Sequence, residues 1–224
     1  MSVHVSKSLV LSAFAAAALV AQPALAGGIG FWGGQMDTDT FGKGVVGGGQ
    51  LELDAAPWVS LLVRGGYASG FDDISLSEAG FVPGVNARRV FDTVGVNLSR
   101  AQIEDFAVAP VEGGVLLRLP AIFDVIGIYG GAGAGWYFLP GFDIKSGDRK
   151  VSVDSVTDMV GFWALGGVDV GISFFHLFAE AKYVSAKKDG ETFDLDWVRG
   201  DSGAVRADID LSGLTVLGGV RFEW

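Results

Sequence analysis

From Trp58 to Tyr67 apolar and polar residues alternate one by one: Val59, Leu61, Val63 and Tyr67 fall on one side of an extended chain, Ser60, Leu62, Arg64 and Gly66 on the other. The same period recurs where Val115, Leu117 and Leu119 oppose Glu112, Gly114, Leu116 and Arg118. It recurs again where Phe175, Leu177, Ala179, Ala181 and Tyr183 oppose His176, Phe178, Glu180 and Lys182. In the last dozen residues Leu214, Val216, Val220, Phe222 and Trp224 oppose Thr215, Leu217, Arg221 and Glu223. Each time the charges keep to one side. A chain patterned in this way must form strands with one continuous apolar face, and that face needs an apolar neighbour or an apolar solvent.

Which of the two is decided by what the chain lacks. Hydrophobic residues make up 50% of it, yet no run beyond the first residues approaches the roughly twenty apolar residues that a helix needs to cross a bilayer. A bilayer can instead be crossed by a closed barrel, in which strands of about ten residues satisfy every backbone group by pairing. The competing architecture, a soluble β-sandwich, would show one polar face to water, and the apolar set here forms a continuous face instead. There is no cysteine, so an exported chain of this size is held by its pairing lattice or its core, without disulfides.

The amino end reads as an export signal. Lys7 precedes an apolar run from Leu9 to Ala21, and the small-residue triplet Ala24-Leu25-Ala26 follows Gln22-Pro23. The run is about thirteen residues, too short for a spanning anchor. Cleavage after Ala26 divides the chain into a signal peptide, 1–26, and a barrel domain, 27–224. It leaves 198 of the 224 residues and, with Lys7 gone, moves the formal charge from -10 to -11. That charge repels phosphate backbones, so nucleic acid is not an expected partner.

Eight strands are expected: 28–36, 44–54, 57–67, 107–119, 126–138, 159–172, 174–185 and 211–224. Their connections alternate between tight ones (Asp54 to Pro57, Pro120 to Val125, the Ser173 region) and long ones rich in Gly, Asp, Lys and Arg (37–43, 68–106, 139–158, 186–210). An all-β, antiparallel, up-and-down transmembrane barrel has short turns on the periplasmic rim, long loops outside and both termini periplasmic. With the apolar set against lipid, Glu52, Arg64, Glu112, Arg118, Asp169, Glu180, Lys182, Arg221 and Glu223 point inward. An eight-stranded barrel is just wide enough for side chains to fill, so these groups are expected to pair as a lumenal polar network rather than line a pore. Aromatic residues near the strand ends are expected at headgroup level: Phe31, Trp32, Trp58, Tyr67, Trp136 to Phe138, Phe162, Phe174, Phe175, Tyr183, Phe222 and Trp224. Trp163 alternates inward as lumen filling.

The terminal stretch Gly213-Leu-Thr-Val-Leu-Gly-Gly-Val-Arg-Phe-Glu-Trp224 resembles the closing strand of outer-membrane proteins, which alternates apolar residues and ends on Phe or Trp. With the signal peptide, the segment Leu177-Phe-Ala-Glu-Ala-Lys-Tyr183 and the loop pattern, the chain resembles the small OmpA/OmpX-like family of outer-membrane β-barrel domains. Two departures are the terminal Trp in place of Phe and the lack of a following peptidoglycan-binding domain. The resemblance implies residence in the outer membrane of a Gram-negative-type bacterium, among its lipids and lipopolysaccharide. It also implies handling by periplasmic chaperones and by the barrel-assembly machinery, which reads the last strand; Val220, Phe222 and Trp224 are the positions of that signal.

No catalytic or cofactor site is expected. Outer-membrane barrels that resemble lipid A deacylase or palmitoyltransferase use a His with a Ser and a carboxylate. After cleavage one histidine remains, His176, with Ser173 three residues away at a turn, and that spacing gives no nucleophile–base contact by itself. One histidine and no cysteine do not furnish a zinc site. The acidic loop residues Asp37, Asp39, Asp72, Asp73, Asp194, Asp196, Asp208 and Asp210 lack EF-hand spacing. The run Gly130 to Gly135 lies in a strand pattern and is expected as a barrel bend rather than a nucleotide loop. The expected role is therefore a non-enzymatic surface barrel that presents loops 68–106 and 186–210 to an external ligand the sequence does not identify. The alternative is a narrow channel for small or apolar solutes, suggested by the inward Leu62, Leu116, Phe178 and Leu217.

Overall fold

A computed structural model describes residues 26–72, 74–75, 82–83, 101–120, 125–140, 142–147, 149–153, 157–197 and 201–224. Its strands are β1 (Gly27–Thr38), β2 (Gly42–Ala56), β3 (Val59–Ser69), β4 (Ile74–Ser75), β5 (Val82–Pro83), β6 (Gln102–Glu104), β7 (Ala109–Arg118) and β8 (Ile126–Leu139). They continue as β9 (Phe142–Ser146), β10 (Arg149–Val153), β11 (Thr157–Ile172), β12 (Phe175–Ser185), β13 (Lys187–Trp197), β14 (Asp201–Asp210) and β15 (Gly213–Glu223). Eight of them close an antiparallel barrel in the order β1-β15-β12-β11-β8-β7-β3-β2. These eight coincide with the eight alternating segments of the sequence. Residues 1–25, with Ala24 and most of the expected signal segment, lie outside the described residues, as does Asp73.

The barrel closes where β1 meets β15 over eleven register positions, from Gly28 opposite Glu223 to Thr38 opposite Gly213. Ala26 and Trp224 extend the lattice by one bond each: the Ala26 carbonyl accepts from Asp54 N at 2.8 Å, and Trp224 N donates to the Gly27 carbonyl at 3.0 Å. Both ends of the barrel chain thus sit on the rim that carries the tight β2–β3 and β11–β12 turns, called here the turn rim. At the second of these turns Ser173 is left-handed, with φ 60°.

The outer surface is apolar. Phe162 is 69% exposed, Val45 69% and Trp58 61%, and Leu61, Val115, Leu117, Val168, Val170, Leu177 and Val216 are also exposed. Trp58, Phe174, Phe175, Phe222 and Trp224 form one aromatic row at the turn rim; Tyr67, Trp136, Phe138, Phe162 and Tyr183 form another toward the opposite, loop rim. Tyr67 lies nine positions beyond Trp58, about 30 Å of extended chain. At the strand tilt of such barrels this is about 23 Å of height, close to the apolar band of a membrane barrel. Among the described residues no charged side chain faces outward between the two rows. Water does not tolerate an apolar surface of this extent on a monomer, whereas lipid does.

Two expectations are corrected here. Trp32 and Tyr137, expected at the headgroup level, are buried in the lumen at 6% and 1% exposure. Each falls on the inward parity of its strand, which overrides the general preference of aromatic rings for the interface. The Gly130 to Gly135 run lies inside β8, with unbroken register to β7 and β11 and no positive φ. Gly131 and Gly133 face inward and make room for neighbours: a Cβ on Gly133 would come within 2.6 Å of the Trp163 ring. Gly66 and Gly48 do the same beneath Trp32, and Gly167 beneath Tyr129. Glycine here supplies volume rather than flexibility.

The long connections are also more ordered than loops. Together 68–106, 139–158 and 186–210 carry seven strands. The sheet β10-β9-β6-β4 repeats, above the loop rim, the order β11-β8-β7-β3 of the wall from which its strands emerge. The connection 37–43, expected among the long ones, is instead a three-residue turn, 39–41, because β1 and β2 stay paired as far as Thr38 and Gly42. β13 and β14 prolong β12 and β15 as one hairpin, and β5 pairs with β14 at Val82–Arg206 and Pro83–Val205. Strands that leave the barrel side by side keep pairing because their backbone donors and acceptors would otherwise be unmet.

Candidate functional site

The chemistry of this chain is concentrated in the lumen, where the period-two pattern delivers its charges. The nine ionisable residues expected there all lie on the inward parity of barrel strands, tied into ion pairs that cross the barrel or run along its wall. Arg64 on β3, 1% exposed, makes a two-pronged contact with Glu180 on β12: Nη1 donates to Oε2 at 2.9 Å and Nη2 to Oε1 at 3.2 Å. Tyr129 donates its hydroxyl to the same carboxylate at 2.8 Å. The Arg64 guanidinium also lies 5.7 Å from the Trp32 ring centre.

Nearer the turn rim, Arg221 on β15 reaches Glu52 at 3.3 Å, Asp169 at 3.1 Å and Glu223 at 2.7 Å. Arg118 donates to the second oxygen of Glu52 and, through Nε, to Ser60 Oγ at 3.2 Å; Ser60 in turn donates to Asp54 at 2.7 Å. Gln50 joins the two clusters. Its amide donates to Glu52 at 2.8 Å while its carbonyl accepts from Arg64 at 3.0 Å. A third cluster stands closer to the loop rim, where Lys182 binds both oxygens of Glu112 at 2.7 and 2.8 Å and Tyr137 donates to the same carboxylate at 2.8 Å.

The partners Gln50, Asp54, Ser60, Tyr129, Tyr137 and His176 were not singled out from the sequence as members of this network. Parity alone could have nominated Gln50, Asp54, Ser60 and His176, since each shares the inward parity of a charge on its own strand, whereas Tyr129 and Tyr137 stand on β8, which carries no charge; parity in any case says nothing about reach across the lumen. Burying so many charges is tolerable only because each carboxylate and cation has bonded partners. Removing one partner would strand the other in a medium that hydrates it poorly.

Above the third cluster the lumen turns apolar. Phe41 stacks on Phe106 with ring centres 3.6 Å apart, and Phe71 meets Phe106 edge-on at 5.4 Å. Met36, Ile103, Leu139, Phe142, Ile144, Met159, Val184, Ile209 and Leu211 are buried around them. The lumen is thus bonded shut below and capped by apolar side chains above. Leu62, Leu116, Phe178 and Leu217, read as the apolar lining of a channel, are all buried within this packing.

His176 is the one described histidine. Its Nδ1 lies 2.9 Å from Asp169 and its Nε2 3.1 Å from Glu223, so both ring nitrogens face carboxylates and neither is directed to Ser173, an exposed turn residue. Among the described residues no three His, Asp or Glu side chains converge as a metal site. The residues of the terminal signature lie on the outward face of β15, with the Phe222 ring edge-on to Phe175 at 5.6 Å and Trp224 exposed.

Comparison with solved structures bears on the barrel itself. Neisserial surface protein A matches over 89% of this chain and 97% of its own, with 12% identity and a TM-score of 0.51. A major outer membrane protein from Thermus thermophilus matches over 88% and 99%, with 8% identity and a TM-score of 0.54. This chain has the fold of the small outer-membrane barrels. At such identities the likeness concerns the fold alone. No family model and no curated protein matches the sequence.

Proposed function

We propose that this chain is a non-enzymatic integral protein of a Gram-negative-type outer membrane, a scaffold that holds an ordered β-structured crown of loops above the surface. The observation that carries the reading is the pairing of a lipid-compatible exterior with a lumen closed along its length. The charge clusters on the turn-rim side are bonded across the barrel, and the cap on the loop-rim side is packed with aromatic and aliphatic side chains. A barrel built in this way spends its interior on rigidity and leaves the crown as the part available to partners. The turn rim, with both ends of the barrel chain, faces the periplasm in this reading. The crown faces outward among lipopolysaccharide and whatever external ligand it meets. The names of the matched structures, a neisserial surface protein and a major outer membrane protein, are in keeping with that placement.

The last strand is proposed as the segment handed to the barrel-assembly machinery by periplasmic chaperones, with Val220, Phe222 and Trp224 as its outward anchors. The reading is tested on protein extracted from membranes. The unheated sample should migrate faster than the boiled one, as a closed barrel resistant to detergent does; equal mobility would remove the membrane barrel altogether. Deleting 189–208, the outer part of the β13–β14 hairpin, should keep this heat shift and abolish any surface-binding phenotype. Binding that survives the deletion would place the ligand site elsewhere.

A further inference from the structure

At the turn rim one imidazole is held between two strands other than its own. His176 stands at the start of β12, with Asp169 of β11 and Glu223 of β15 on either side. Its Nδ1 lies 2.9 Å from Asp169 Oδ2 and its Nε2 3.1 Å from Glu223 Oε2. The ring is seated on Gly171, the residue opposite it on β11: a Cβ there would come within 2.1 Å of ring atoms. Gly127 leaves space in the same way for the Asp169 carboxylate, whose Oδ1 would lie 2.2 Å from an added Cβ. Packing places the ring, and its two contacts follow from that placement.

A neutral imidazole carries one N–H and one bare nitrogen, so between two carboxylates it makes one hydrogen bond and turns a lone pair on the other oxygen. The imidazolium donates to both. On β15 the ring faces Arg221 as well as Glu223, and Arg221 itself bonds Glu52, Asp169 and Glu223. Behind them stand Arg118 of β7 on Glu52, Asp54 of β2 on Ser60, and Tyr129 of β8 beneath Arg118, while β1 supplies only Gly28 and Gly30 at this level. Glu52, Asp54, Asp169 and Glu223 are thus gathered around two guanidinium groups, and such a cluster accommodates a positive ring.

We propose that His176 is a proton-dependent clasp on the closing strand: with both nitrogens protonated it ties β11 to the end of β15, and on losing one proton it lets Glu223 go. Of the two carboxylates Glu223 is the one to leave, because its side chain is 37% exposed and can turn to water, whereas Asp169 is 6% exposed and also held by Arg221. What Glu223 carries is the end of the barrel seam. Its N–H donates to the Phe174 carbonyl at 2.9 Å, and that of Trp224 donates to the Gly27 carbonyl at 3.0 Å. Because the bound form is the protonated one, the clasp is present at low pH and is lost as pH rises through the range in which an imidazolium gives up its proton. The closing strand is held most firmly in mild acid. The clasp does not depend on what the crown binds or on which compartment the rim faces.

The test uses the full barrel in phosphatidylcholine vesicles, isotope-labelled at the histidine nitrogens. Amide exchange at Glu223 and Trp224, corrected for intrinsic rates, should speed up about tenfold between about pH 5.5 and about pH 8, the lower end for a partly exposed hydrogen bond to a charged group. Over the same interval the ring signals should pass from the imidazolium to a neutral tautomer, with the same midpoint. His176→Gln, which keeps a donor but has no proton to lose, should exchange at a constant rate. Gly171→Ala, which pushes the ring off its seat, should give the fast exchange at acid pH as well, with the heat-dependent mobility shift showing that the barrel is closed. A flat profile in the native barrel, the same rise in His176→Gln, slow exchange in closed Gly171→Ala, or a ring already neutral while exchange is slow would each overturn the proposal. If neither variant assembles, the native barrel still decides, since the ring and amide transitions must coincide.

Discussion

Arg64 shows what a single lumenal residue contributes. Buried at 1% exposure between Glu180, Gln50 and Trp32, it trades hydration for fixed partners. A buried ion pair of this kind gains little over an apolar pair of the same volume, but either partner left alone is costly. Arg64→Met should therefore destabilise the folded barrel by about 3–5 kcal/mol, the range for a stranded buried charge, and so should Glu180→Leu. The double variant should recover much of that loss, although Tyr129 and Gln50 each forfeit a bond in it. Urea unfolding of the four proteins in vesicles closes the cycle, and additive single losses would show that the two groups act independently.

Among the elements, β15 and the β13–β14 hairpin have opposite duties. β15 must find both β1 and β12 for the barrel to close, and its outward Val220, Phe222 and Trp224 lie in the apolar band. Deleting Trp224 should lower the yield of assembled barrel in cells more than it lowers the urea midpoint of barrel already folded. Normal assembly of the truncated chain would contradict this. The hairpin stands clear of the membrane and is pinned at its base by Lys187 Nζ to Asp210 Oδ2 at 2.6 Å. Partial burial tends to raise the Asp210 carboxyl, but bonds from Lys187 and Ser212 outweigh it and hold the group below its ordinary value. A carboxylate so lowered stabilises the folded hairpin at pH above the unfolded value, about 4, and the contribution is lost as pH falls through the folded value. Lys187 is raised, first by its hydrogen bond to Asp210, so its share is present below the ordinary lysine range and is lost only in strong alkali. Amide exchange at the hairpin base should accordingly be flat from pH 5 to about 9, after correction for intrinsic rates, and should speed up below about pH 4. Asp210→Asn should remove that acid-side change, and an unchanged profile in the variant would assign it to other groups.

As a whole the molecule is a wall with two solvents, lipid outside and its own side chains within. Among the described residues the clusters on the turn-rim side and the apolar cap on the loop-rim side fill the lumen, an arrangement that predicts no continuous hydrated route for ions. Planar bilayers containing the purified barrel should show no unitary conductance above background. Steady ion-selective steps would revive the narrow-channel reading and require the clusters to exchange partners.

The sequence by itself determined the eight barrel strands, their antiparallel order and the face on which each side chain stands, because period two is a property of neighbouring residues and survives without any tertiary contact. That is why Arg64, Glu112, Glu180 and Arg221 could be placed inside from their local pattern. The tertiary structure alone decided who meets whom. Arg64 and Glu180 are 116 residues apart, and only the closure of β1 on β15 with its particular register brings their strands across the lumen from each other. The same closure seated Trp32, inward by parity, against Gly48 and Gly66, and Tyr137 against Gly161. It also carried the long connections upward as paired strands, since whether a polar stretch pairs depends on which strand edge stands beside it, and no local pattern records that.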